Sequence, residues 1–434
     1  MADPQPPALD ARQFPRLLSG LAAPEAGLTL AQHLDHWGPV PLHRAATTLL
    51  DELEASRLRG HGGAWFPVGT KWRAVRGGRT RRPVVVANGA EGEPASRKDA
   101  YLLTQLPHLV LDGASLAAAA LRANRVVIYV PHRLLAAVGG AVEARRRAGV
   151  DPVALEVMAA PDAFLSGQES AVVRAVNGGP ALPTFVGMTS IRDRGVSGKP
   201  TLVQNVESLA HVALVSRFGG AWFRSLGTSD SPGTMLLTIT GRWAEPLVVE
   251  APLGAAFRDV LQLAPADADS YWGALLGGYG GGWVSMPDLF EAPLTEEAAR
   301  SLTSSLGAGV VALLPRSHCP LAETARVVRY MEQQGAGQCG PCRNGLAELA
   351  AQVEAVAFHP QRLDGRLPPI HEVCTLVEGR GACRHPDGVA RFVRSALVVF
   401  RDEVDFHLRR GPCRAVNGPA LLPCPVHHAQ RLAG

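Results

Sequence analysis

Gly60-His-Gly-Gly-Ala-Trp-Phe-Pro-Val-Gly-Thr-Lys-Trp72 is the most informative segment of this 434-residue chain. Its glycines let the backbone turn tightly and bring N–H groups close to a ligand, and Lys71 adds a cation at the end of the loop. Unpaired amides beside a positive charge suit an anion, so the loop predicts a phosphate site. Far downstream, Cys339-Gly-Pro-Cys342 and Cys383 supply thiols of the kind that hold iron–sulfur clusters. The two features together indicate electron transfer.

Composition narrows the class of protein. Hydrophobic residues make up 47% of the chain, enough for a large core, and the length allows about two to four domains. The formal net charge is only +4, which gives no indication of a nucleic-acid partner. The first residues lack the basic and apolar regions of a signal peptide, and no apolar run approaches the ~18 residues of a spanning helix. We therefore expect a cytoplasmic protein without direct membrane insertion, peripheral at most to a membrane complex, whose seven cysteines are thiols or metal ligands.

Aliphatic strands alternate with helices in the first half of the chain. Three apolar runs are predicted strands: Val84–Ala87, Val126–Val130 and Leu155–Met158. Helices are predicted at Asp51–Arg57, near Asp112–Arg122 and at His132–Ala148. This alternation predicts an α/β fold with a mainly parallel, Rossmann-like sheet covered by helices. Ligands of such sheets lie at the carboxyl ends of the strands, where Asn88–Pro94 follows the first strand.

The composition changes near Ser229, and a smaller α+β module is predicted from there. Its predicted elements are strands at Thr234–Thr240, Leu247–Glu250 and Val310–Leu314, a helix at Phe257–Leu263 and a turn at Gly277–Gly282. From Leu321 the pattern becomes helical, with helices at Glu323–Gln333 and Arg343–Ala357 on either side of the paired cysteines. Apolar residues at helical spacing predict one long amphipathic helix over Val389–Arg409.

Five blocks in order resemble the NADH-binding flavoprotein (F) subunit of respiratory complex I and its relatives in NAD-linked hydrogenases and formate dehydrogenases. They are the glycine loop 60–72, Asn88–Asp99, Phe164–Ala171, Gly198–Leu209, and Gln338–Gly345 with Cys383. The resemblance covers roughly residues 55–410. It implies a Rossmann-like FMN-binding domain, a β-grasp module similar to the soluble ligand-binding β-grasp fold, and a C-terminal helical bundle.

On this basis we predict five parts of the chain. They are a helical lead-in at 1–58, an FMN- and NADH-binding α/β domain at 59–228, a β-grasp module at 229–316, a helical iron–sulfur domain at 317–410 and a Pro-rich tail at 411–434. We expect the tail to be loosely ordered.

The resemblance implies FMN, NADH and a [4Fe–4S] cluster. In the glycine loop, the residues expected to hold FMN are Gly60, Gly62, Gly63 and Lys71. Further flavin contacts are expected from Asn88, Glu91, Gly167, Gln204 and Asn205. The nicotinamide nucleotide would stack on or hydrogen-bond to Phe66, Phe185, Glu93 and Glu169, with the two glutamates as candidate catalytic residues. The cluster ligands would be Cys339, Cys342 and Cys383.

The implied activity is that of an NADH dehydrogenase-like oxidoreductase. NAD(P)H would be oxidised through FMN, and electrons would pass singly to the cluster and then to a ferredoxin-like, thioredoxin-like or quinone-reductase partner. A basic patch of Arg343, Arg380 and Arg384 near the thiols would dock an acidic partner, since complementary charge steers such encounters.

Several positions depart from the family pattern. Polar, charged or aromatic family residues are replaced at Ala74, Ala90, Phe164, Gln168 and Leu182, and a loop glycine is replaced at Trp65. A buried tryptophan there is expected to crowd a ligand that needs close backbone approach. Ala336 stands where the cluster motif has its first cysteine. These departures leave a second hypothesis open, a non-enzymatic electron-transfer or docking module that has lost NADH binding.

The thiols leave alternatives open as well. Four thiolates normally hold a [4Fe–4S] cluster, so three would need a further ligand, which could be Cys374, Cys319, a water or a small thiol, or would hold a [3Fe–4S] form. The other interpretations of Cys339 and Cys342 are zinc with His371 or His385 as a further ligand, a redox disulfide, or no metal at all. Cys413 and Cys424, in the Pro-rich tail, are predicted to be free thiols.

Overall fold

The computed structural model describes residues 16–19, 21, 27–77, 82–185, 191–264, 268–302 and 304–425. Within these ranges the chain forms a parallel sheet between helices, a second mixed sheet and a C-terminal group of helices. None of the helices in the described ranges combines the length and apolarity that a membrane span requires. The predicted order, a mainly parallel α/β region followed by an α+β module and a helical bundle, is confirmed.

The first sheet consists of four parallel strands, β1 (Val84–Asn88), β2 (Arg125–Pro131), β3 (Leu155–Ala160) and β4 (Thr201–Asn205). Their order across the sheet is β3-β2-β1-β4, and the register places Asn88 opposite Asn205. The chain leaves β1 towards β2 on one side and returns to β4 on the other. The crevice outside the ends of β1 and β4 is therefore the switch point at which open α/β sheets bind ligands. The sequence did not predict β4, because its five residues include the polar Thr201, Gln204 and Asn205.

Helices cover this sheet. They are α1 (Leu30–Trp37), α2 (Leu42–Thr47), α3 (Leu49–Ser56), α4 (Val68–Arg76), α5 (Lys98–Gln105), α6 (Pro107–Leu121), α7 (Leu135–Ala148), α8 (Glu169–Val176) and α9 (Val206–Phe223). Helices α6 and α9 cross closely, since a Cβ on Gly113 would lie 2.1 Å from the carbonyl oxygen of Leu209. Only a glycine permits this approach, and it lets two strongly apolar helices pack backbone to backbone under the sheet.

The second sheet contains five strands, β5 (Thr234–Thr240), β6 (Leu247–Pro252), β7 (Tyr271–Leu276), β8 (Gly282–Ser285) and β9 (Val310–Pro315), in the order β6-β5-β9-β7-β8. Three short helices accompany it, α10 (Phe257–Leu261), α11 (Met286–Glu291) and α12 (Glu296–Ser301). The first and last strands lie parallel at the centre with an antiparallel neighbour on each side, which is the β-grasp arrangement. The predicted turn at Gly277–Gly282 is confirmed as the connection between β7 and β8. The sequence did not predict these two strands.

The C-terminal helices are α13 (Pro320–Gln333), α14 (Leu346–Phe358), α15 (Ile370–Val377), α16 (His385–Val399) and α17 (Arg401–Arg410). The prediction of one long helix over Val389–Arg409 is wrong, because the backbone leaves the helical conformation at Phe400, with φ −107° and ψ 30°. The Phe400 side chain is 3% exposed, and its ring lies 5.2 Å from that of Trp283 in an edge-on contact. The apolar spacing continues through Phe400, but packing of its side chain against the second sheet ends the helix there.

The tail is not loosely ordered where the structure describes it, so that prediction is wrong for residues 411–425. The N–H groups of Leu421 and Leu422 both donate to the carboxylate of Glu323, and Leu422 is 1% exposed. The hydroxyl of Tyr279 donates to the carbonyl of Pro423 at 2.7 Å. Residues 426–434 of the predicted tail lie outside the described residues, and the boundaries between the five predicted parts stay predictions.

Candidate functional site

The glycine loop lies against the carboxyl end of β4. A Cβ on Gly62 would lie 3.2 Å from the Cβ of Asn205, and one on Gly60 would lie 3.7 Å from Nε2 of Gln204. Gly63 has φ +93°, a conformation that side chains rarely adopt. Gly62 is exposed, and its N–H donates to no protein group among the described residues. The loop therefore presents a free amide at the switch point of the sheet.

Lys71 brings a positive charge to the same place. It lies in the first turn of α4, and its ammonium donates to the carbonyl of Val203 in β4 at 2.6 Å. The ammonium also lies 3.0 Å from Oε1 of Glu169, the first residue of α8. The chain has only three lysines, and Lys71 and Lys98 both lie at this edge of the sheet.

Helices α4, α8 and α9 begin near the carboxyl end of β4. The side chain of Gln168 accepts the N–H groups of Ser170 and Ala171 at the start of α8, and that of Asn205 accepts the N–H of Glu207 at the start of α9. Helix N-termini carry a partial positive charge and attract anions. The free amide, the ammonium and these helix ends form a cradle that fits the phosphate of the FMN implied by the resemblance.

A buried charge network supports the loop from below, and the sequence analysis did not find it. The Glu207 carboxylate lies 3.2 Å from Nδ1 of His61 and 2.8 Å from Nζ of Lys98. Lys98 also pairs with Asp99, which accepts a hydrogen bond from the amide of Asn205 at 2.6 Å. Burial alone would raise the pKa of Glu207, but Lys98 and His61 outweigh it and hold the pKa well below its usual range. The scarcity of lysine was the sequence signal that could have drawn attention to Lys98.

The other predicted flavin residues hold the strand-end loops together. The amide of Asn88 donates to the carbonyl of Gly167 at 2.8 Å and accepts the N–H of Ala90 at 3.3 Å. A Cβ on Gly167 would lie 2.5 Å from the Ala90 oxygen, so these two loops touch through backbone atoms. The indole N–H of Trp72 donates to Gln204 at 3.2 Å. These contacts fix the shape of the crevice, and the flavin contacts of these residues stay predictions.

The two acidic residues that follow β1 have different partners. Glu91 accepts the N–H groups of Asp99 and Ala100 at 3.0 and 3.2 Å, so it caps the start of α5. Glu93 accepts the N–H of Tyr279 at 2.8 Å and thereby ties the crevice to the turn of the second sheet. Burial, reinforced by the nearby Glu91 charge, raises the pKa of Glu93 to about 7 despite its backbone hydrogen bonds.

The two predicted stacking aromatics are exposed, unlike most aromatic side chains of this fold. Phe66 is 43% exposed and Phe185 is 59% exposed. The guanidinium of Arg192 lies 5.8 Å from the Phe66 ring. Exposed aromatic faces can stack on a planar ligand, which agrees with the predicted role in binding nicotinamide. The residues after Phe185, 186–190, lie outside the described ranges.

Trp65 does not crowd the exposed face of the loop, so that expectation is wrong. Its side chain is 4% exposed and packs in the apolar cluster of the second sheet, with its ring edge-on to His61 at 5.3 Å. Its backbone has φ +51°, in the left-handed region that a glycine would occupy without strain. The departure from the family pattern therefore affects the backbone conformation rather than the ligand space.

This conformation gives a first prediction. Trp65→Ala should lower the free energy of unfolding by about 3–5 kcal/mol, since it removes a buried indole. Trp65→Gly should be more stable than Trp65→Ala by about 1 kcal/mol, because glycine relieves the left-handed strain. Urea denaturation followed by fluorescence measures both. Ala64→Gly, at the exposed neighbour, is the control and should give no gain. Equal stability of the alanine and glycine variants at position 65 would contradict the argument.

The three predicted cluster cysteines come together in the helical region. Cys342 lies in a π-helical turn, Pro341–Gly345, a type of distortion that is frequent at functional sites. Burial and the neighbouring thiols of Cys339 and Cys383 raise the pKa of Cys342 to about 12. Burial, and the proximity of Cys339, also raise the pKa of Cys383. A cationic metal centre favours the thiolate forms of neighbouring cysteines. The trio fits three ligands of an iron–sulfur cluster.

Neither of the proposed spare thiols is directed at this trio. The buried thiol of Cys374 donates to the carbonyl of Ala390 at 3.8 Å, and that of Cys319 faces His407. His385, two residues beyond Cys383, is buried, and its Nδ1 has no hydrogen-bond partner among the described residues. Its Nε2 donates to the carbonyl of Met331 at 2.8 Å, which leaves Nδ1 with an available lone pair.

One loop joins the crevice to the cluster region. The N–H of Phe164 donates to the side chain of Gln334, just after α13, at 3.0 Å. The Phe164 ring also lies 5.6 Å from the ring of His385. The same loop ends at Gly167, against the backbone of Ala90. The two candidate sites are therefore neighbours that share a connecting segment.

Comparison with known families matches two parts of the chain. The Nuo51 FMN-binding domain matches residues 53–214. The iron–sulfur binding region of the NADH-ubiquinone oxidoreductase F protein matches residues 322–407. These ranges contain the glycine loop with its crevice and the cysteine trio, respectively.

Individual proteins match over nearly the whole chain. The F subunit of NADH-quinone oxidoreductase in Streptomyces coelicolor is 29% identical over 430 residues, covering 92% of each chain. The corresponding protein of Mycobacterium tuberculosis is 30% identical over 416 residues, covering 89% of this chain and 91% of the relative. The crystal structure of an NAD⁺-reducing [NiFe]-hydrogenase in the air-oxidised state superposes with a TM-score of 0.80 at 28% identity, covering 92% of this chain and 68% of that chain.

Proposed function

We propose that this chain, which belongs to the family of the F subunits of NADH-quinone oxidoreductase, oxidises NADH through a bound FMN and delivers the electrons singly to an iron–sulfur cluster. The observation that carries the proposal is the position of the Lys71 ammonium, beside the glycine loop at the carboxyl end of β4. A cation and a free amide at this switch point provide what a flavin phosphate requires.

The residues of the crevice would bind and orient the two nucleotides. Lys71 and the amide of Gly62 would hold the phosphate, and the exposed rings of Phe66 and Phe185 would hold the nicotinamide flat. Glu169, half-buried at the start of α8, and Glu93 would hydrogen-bond the ribose and carboxamide. FMN, when bound, accepts two electrons together and releases them one at a time, which suits an iron–sulfur acceptor. The protein contributes position, charge and exclusion of water.

Cys339, Cys342 and Cys383 would hold the cluster. With Ala336 in place of a fourth cysteine, the fourth iron would take a ligand that is not a thiolate of this chain, such as solvent or the free nitrogen of His385. Three thiolates make the cluster more labile than a four-cysteine one and favour its conversion to a [3Fe–4S] form.

The partner we propose is an acidic ferredoxin-like or thioredoxin-like iron–sulfur subunit, with this chain peripheral to the complex. Arg343, Arg380 and Arg384 are all exposed around the cysteine trio, and Leu376 beside them is 63% exposed. A positive rim around an exposed apolar residue suits a partner of opposite charge.

Anaerobic purification followed by spectroscopy tests the proposed function. The protein reconstituted with FMN, iron and sulfide should be yellow-brown and should bleach on addition of NADH. A coloured protein that only dithionite reduces would instead support an electron carrier without NADH binding. A folded protein that binds neither flavin nor iron would refute the proposal and favour a docking module.

Glu93 gives a prediction about pH. Its pKa is raised to about 7 in the folded protein, above the ordinary value near 4.3 of an unfolded chain, so the folded state binds more protons between these values. Its contribution to stability is therefore present at low pH and is lost as the pH rises towards 7. Glu93→Gln should become more stable relative to the parent as the pH rises from 5 to 8, by on the order of 1 kcal/mol for this half-buried group.

Urea unfolding of both proteins at pH 5, 6, 7 and 8 measures this difference, and groups common to both cancel. Glu91, the nearest acidic group, is unchanged in the pair. A stability difference that stays constant over this pH range would contradict the raised pKa.

A further inference from the structure

A second group of metal-binding side chains lies away from the cysteine trio. Cys319 caps the start of α13, His407 lies in the last turn of α17, and Cys413 follows in the tail. Their thiol and imidazole ligand atoms all lie within 4.8 Å of one another. Cys319 and His407 are 2% and 0% exposed, and Cys413 is half-buried. The sequence analysis assigned Cys319 to the cluster as a possible spare ligand and Cys413 to the free thiols, and the structure brings the two together.

The His407 ring is held in the form that a metal ligand requires. Its Nδ1 lies 3.3 Å from the carbonyl oxygen of Val356, so Nδ1 carries the hydrogen and donates it. The lone pair is then on Nε2, which lies 3.7 Å from Sγ of Cys319 and accepts the N–H of Cys413 at 3.1 Å. Metal-binding histidines commonly have their second nitrogen fixed in this way by a backbone carbonyl.

We propose that Cys319, His407 and Cys413 bind a zinc ion. Zinc bonds of about 2.3 Å to sulfur and about 2.0–2.1 Å to nitrogen place the two ligand atoms of a tetrahedral site roughly 3.6 Å apart. The separation of 3.7 Å between Sγ of Cys319 and Nε2 of His407 matches this distance. Two thiolates and one imidazole are ligands that zinc prefers. Because Cys413 is only half-buried, water can reach the site and occupy the fourth position.

Binding changes the protonation of the site in a defined way. Two thiols each lose a proton to solvent, so the charge of the zinc ion is balanced by two thiolates. The N–H of Cys413 releases Nε2 of His407, whose lone pair then bonds to the metal. No electron transfer is needed, which distinguishes this site from the proposed iron–sulfur centre.

The position of the site gives it a structural role. The zinc ion would join the start of α13, through Cys319, to the end of α17 and the tail, through His407 and Cys413. Beyond Cys413, the tail reaches a cavity of about 670 Å³ at the carboxyl edge of the first sheet. Glu93 lines that cavity together with Pro423, Cys424 and Pro425 of the tail. Zinc would therefore anchor the segment that closes this side of the crevice.

Metal analysis of the full chain with its iron–sulfur centre reconstituted tests the proposal. After loading with zinc and dialysis against EDTA, we expect one zinc per chain. Competition with a chromophoric chelator should show that Cys413→Ser binds zinc about 100-fold more weakly than the parent, because the variant lacks one of the three protein ligands. Cys424→Ser, at the other tail thiol, is the matched control and should bind zinc like the parent. Cys339→Ser should also keep its zinc.

Zinc that is lost from Cys339→Ser but kept by Cys413→Ser would place the metal at the cluster thiols and overturn the proposal. Absence of retained zinc, or a disulfide between Cys319 and Cys413 found by mass spectrometry of the anaerobically purified chain, would overturn it too. X-ray absorption at the zinc edge of the unaltered protein needs no variant. It should show two sulfur neighbours at about 2.3 Å with nitrogen or oxygen at about 2.0 Å, and four sulfur neighbours would contradict the assignment.

Discussion

Lys71→Ala is expected to weaken FMN binding by about 100-fold or more and to leave riboflavin binding nearly unchanged. The ammonium donates to the carbonyl of Val203 in β4, beside the glycine loop, and pairs with Glu169. Loss of a charge-assisted contact to a phosphate costs roughly 1.5–3 kcal/mol, and Glu169, left without its partner, would repel the phosphate further. Fluorescence titration of the apoprotein with each flavin measures both affinities, and riboflavin differs from FMN only by the phosphate.

Two matched variants give this experiment its controls. Lys199→Ala removes the one other lysine outside the charge network. Lys199 precedes β4 and so lies at the amino end of this strand, away from the glycine loop. This variant should bind FMN normally. Lys71→Arg should retain most of the affinity, since it keeps the charge. Stability should change little on loss of Lys71, because its partner Glu169 is 42% exposed in the side chain. An equal loss of riboflavin and FMN binding in Lys71→Ala would assign the effect to folding and contradict the phosphate role.

Asp112→Ala is expected to lower the free energy of unfolding by about 3–5 kcal/mol. The carboxylate is 2% exposed at the middle of α6 and pairs with Arg145 at 2.8 Å, with His33 at 2.9 Å and with Arg217. These partners come from three other helices, α7, α1 and α9. Removal of the carboxylate leaves the buried guanidinium of Arg217 without a carboxylate partner among the described residues and leaves Arg145 with Asp151 alone. Removing one partner in this way is the costly way to break a buried ion pair. Urea unfolding followed by tryptophan fluorescence measures the loss.

The pH dependence of this loss checks its origin. Burial alone would raise the pKa of Asp112, but Arg217, His33 and Arg145 outweigh it and hold the pKa well below the ordinary value. A depressed folded pKa gives stability that is present above the unfolded value near 3.9 and is lost only in acid. The Asp112 carboxylate is therefore charged at both pH 6 and pH 8, so its own titration does not change the cost of Asp112→Ala between these two values. Asp405→Ala, which breaks an exposed pair with Arg409, should change stability by less than about 0.5 kcal/mol. A cost near that of Asp405→Ala would show that the network contributes little.

Features that depend on neighbouring residues could be predicted from the sequence alone. The glycine spacing of residues 60–72 predicted the loop, and the aliphatic runs predicted β1, β2 and β3 with errors of one or two residues. Such features are local, because turn geometry and strand periodicity are set by a few consecutive residues. The prediction failed where local pattern and packing disagree. A continuous apolar period crosses Phe400, yet burial of its ring against Trp283 breaks the helix there.

Which distant side chains meet became visible only in the folded chain. Nothing in the local sequence of Glu207 indicates that it pairs with Lys98 and His61, more than one hundred residues earlier. Likewise, Cys319 and Cys413 carry no shared spacing that would direct them to His407 rather than to the cluster. Burial of a charge or a thiol is favourable only beside a compensating partner, and which partner is available is fixed by how the helices and sheets pack. The residue types of this protein's sites were therefore visible in its sequence, whereas their pairing was settled by the packing of its helices and sheets.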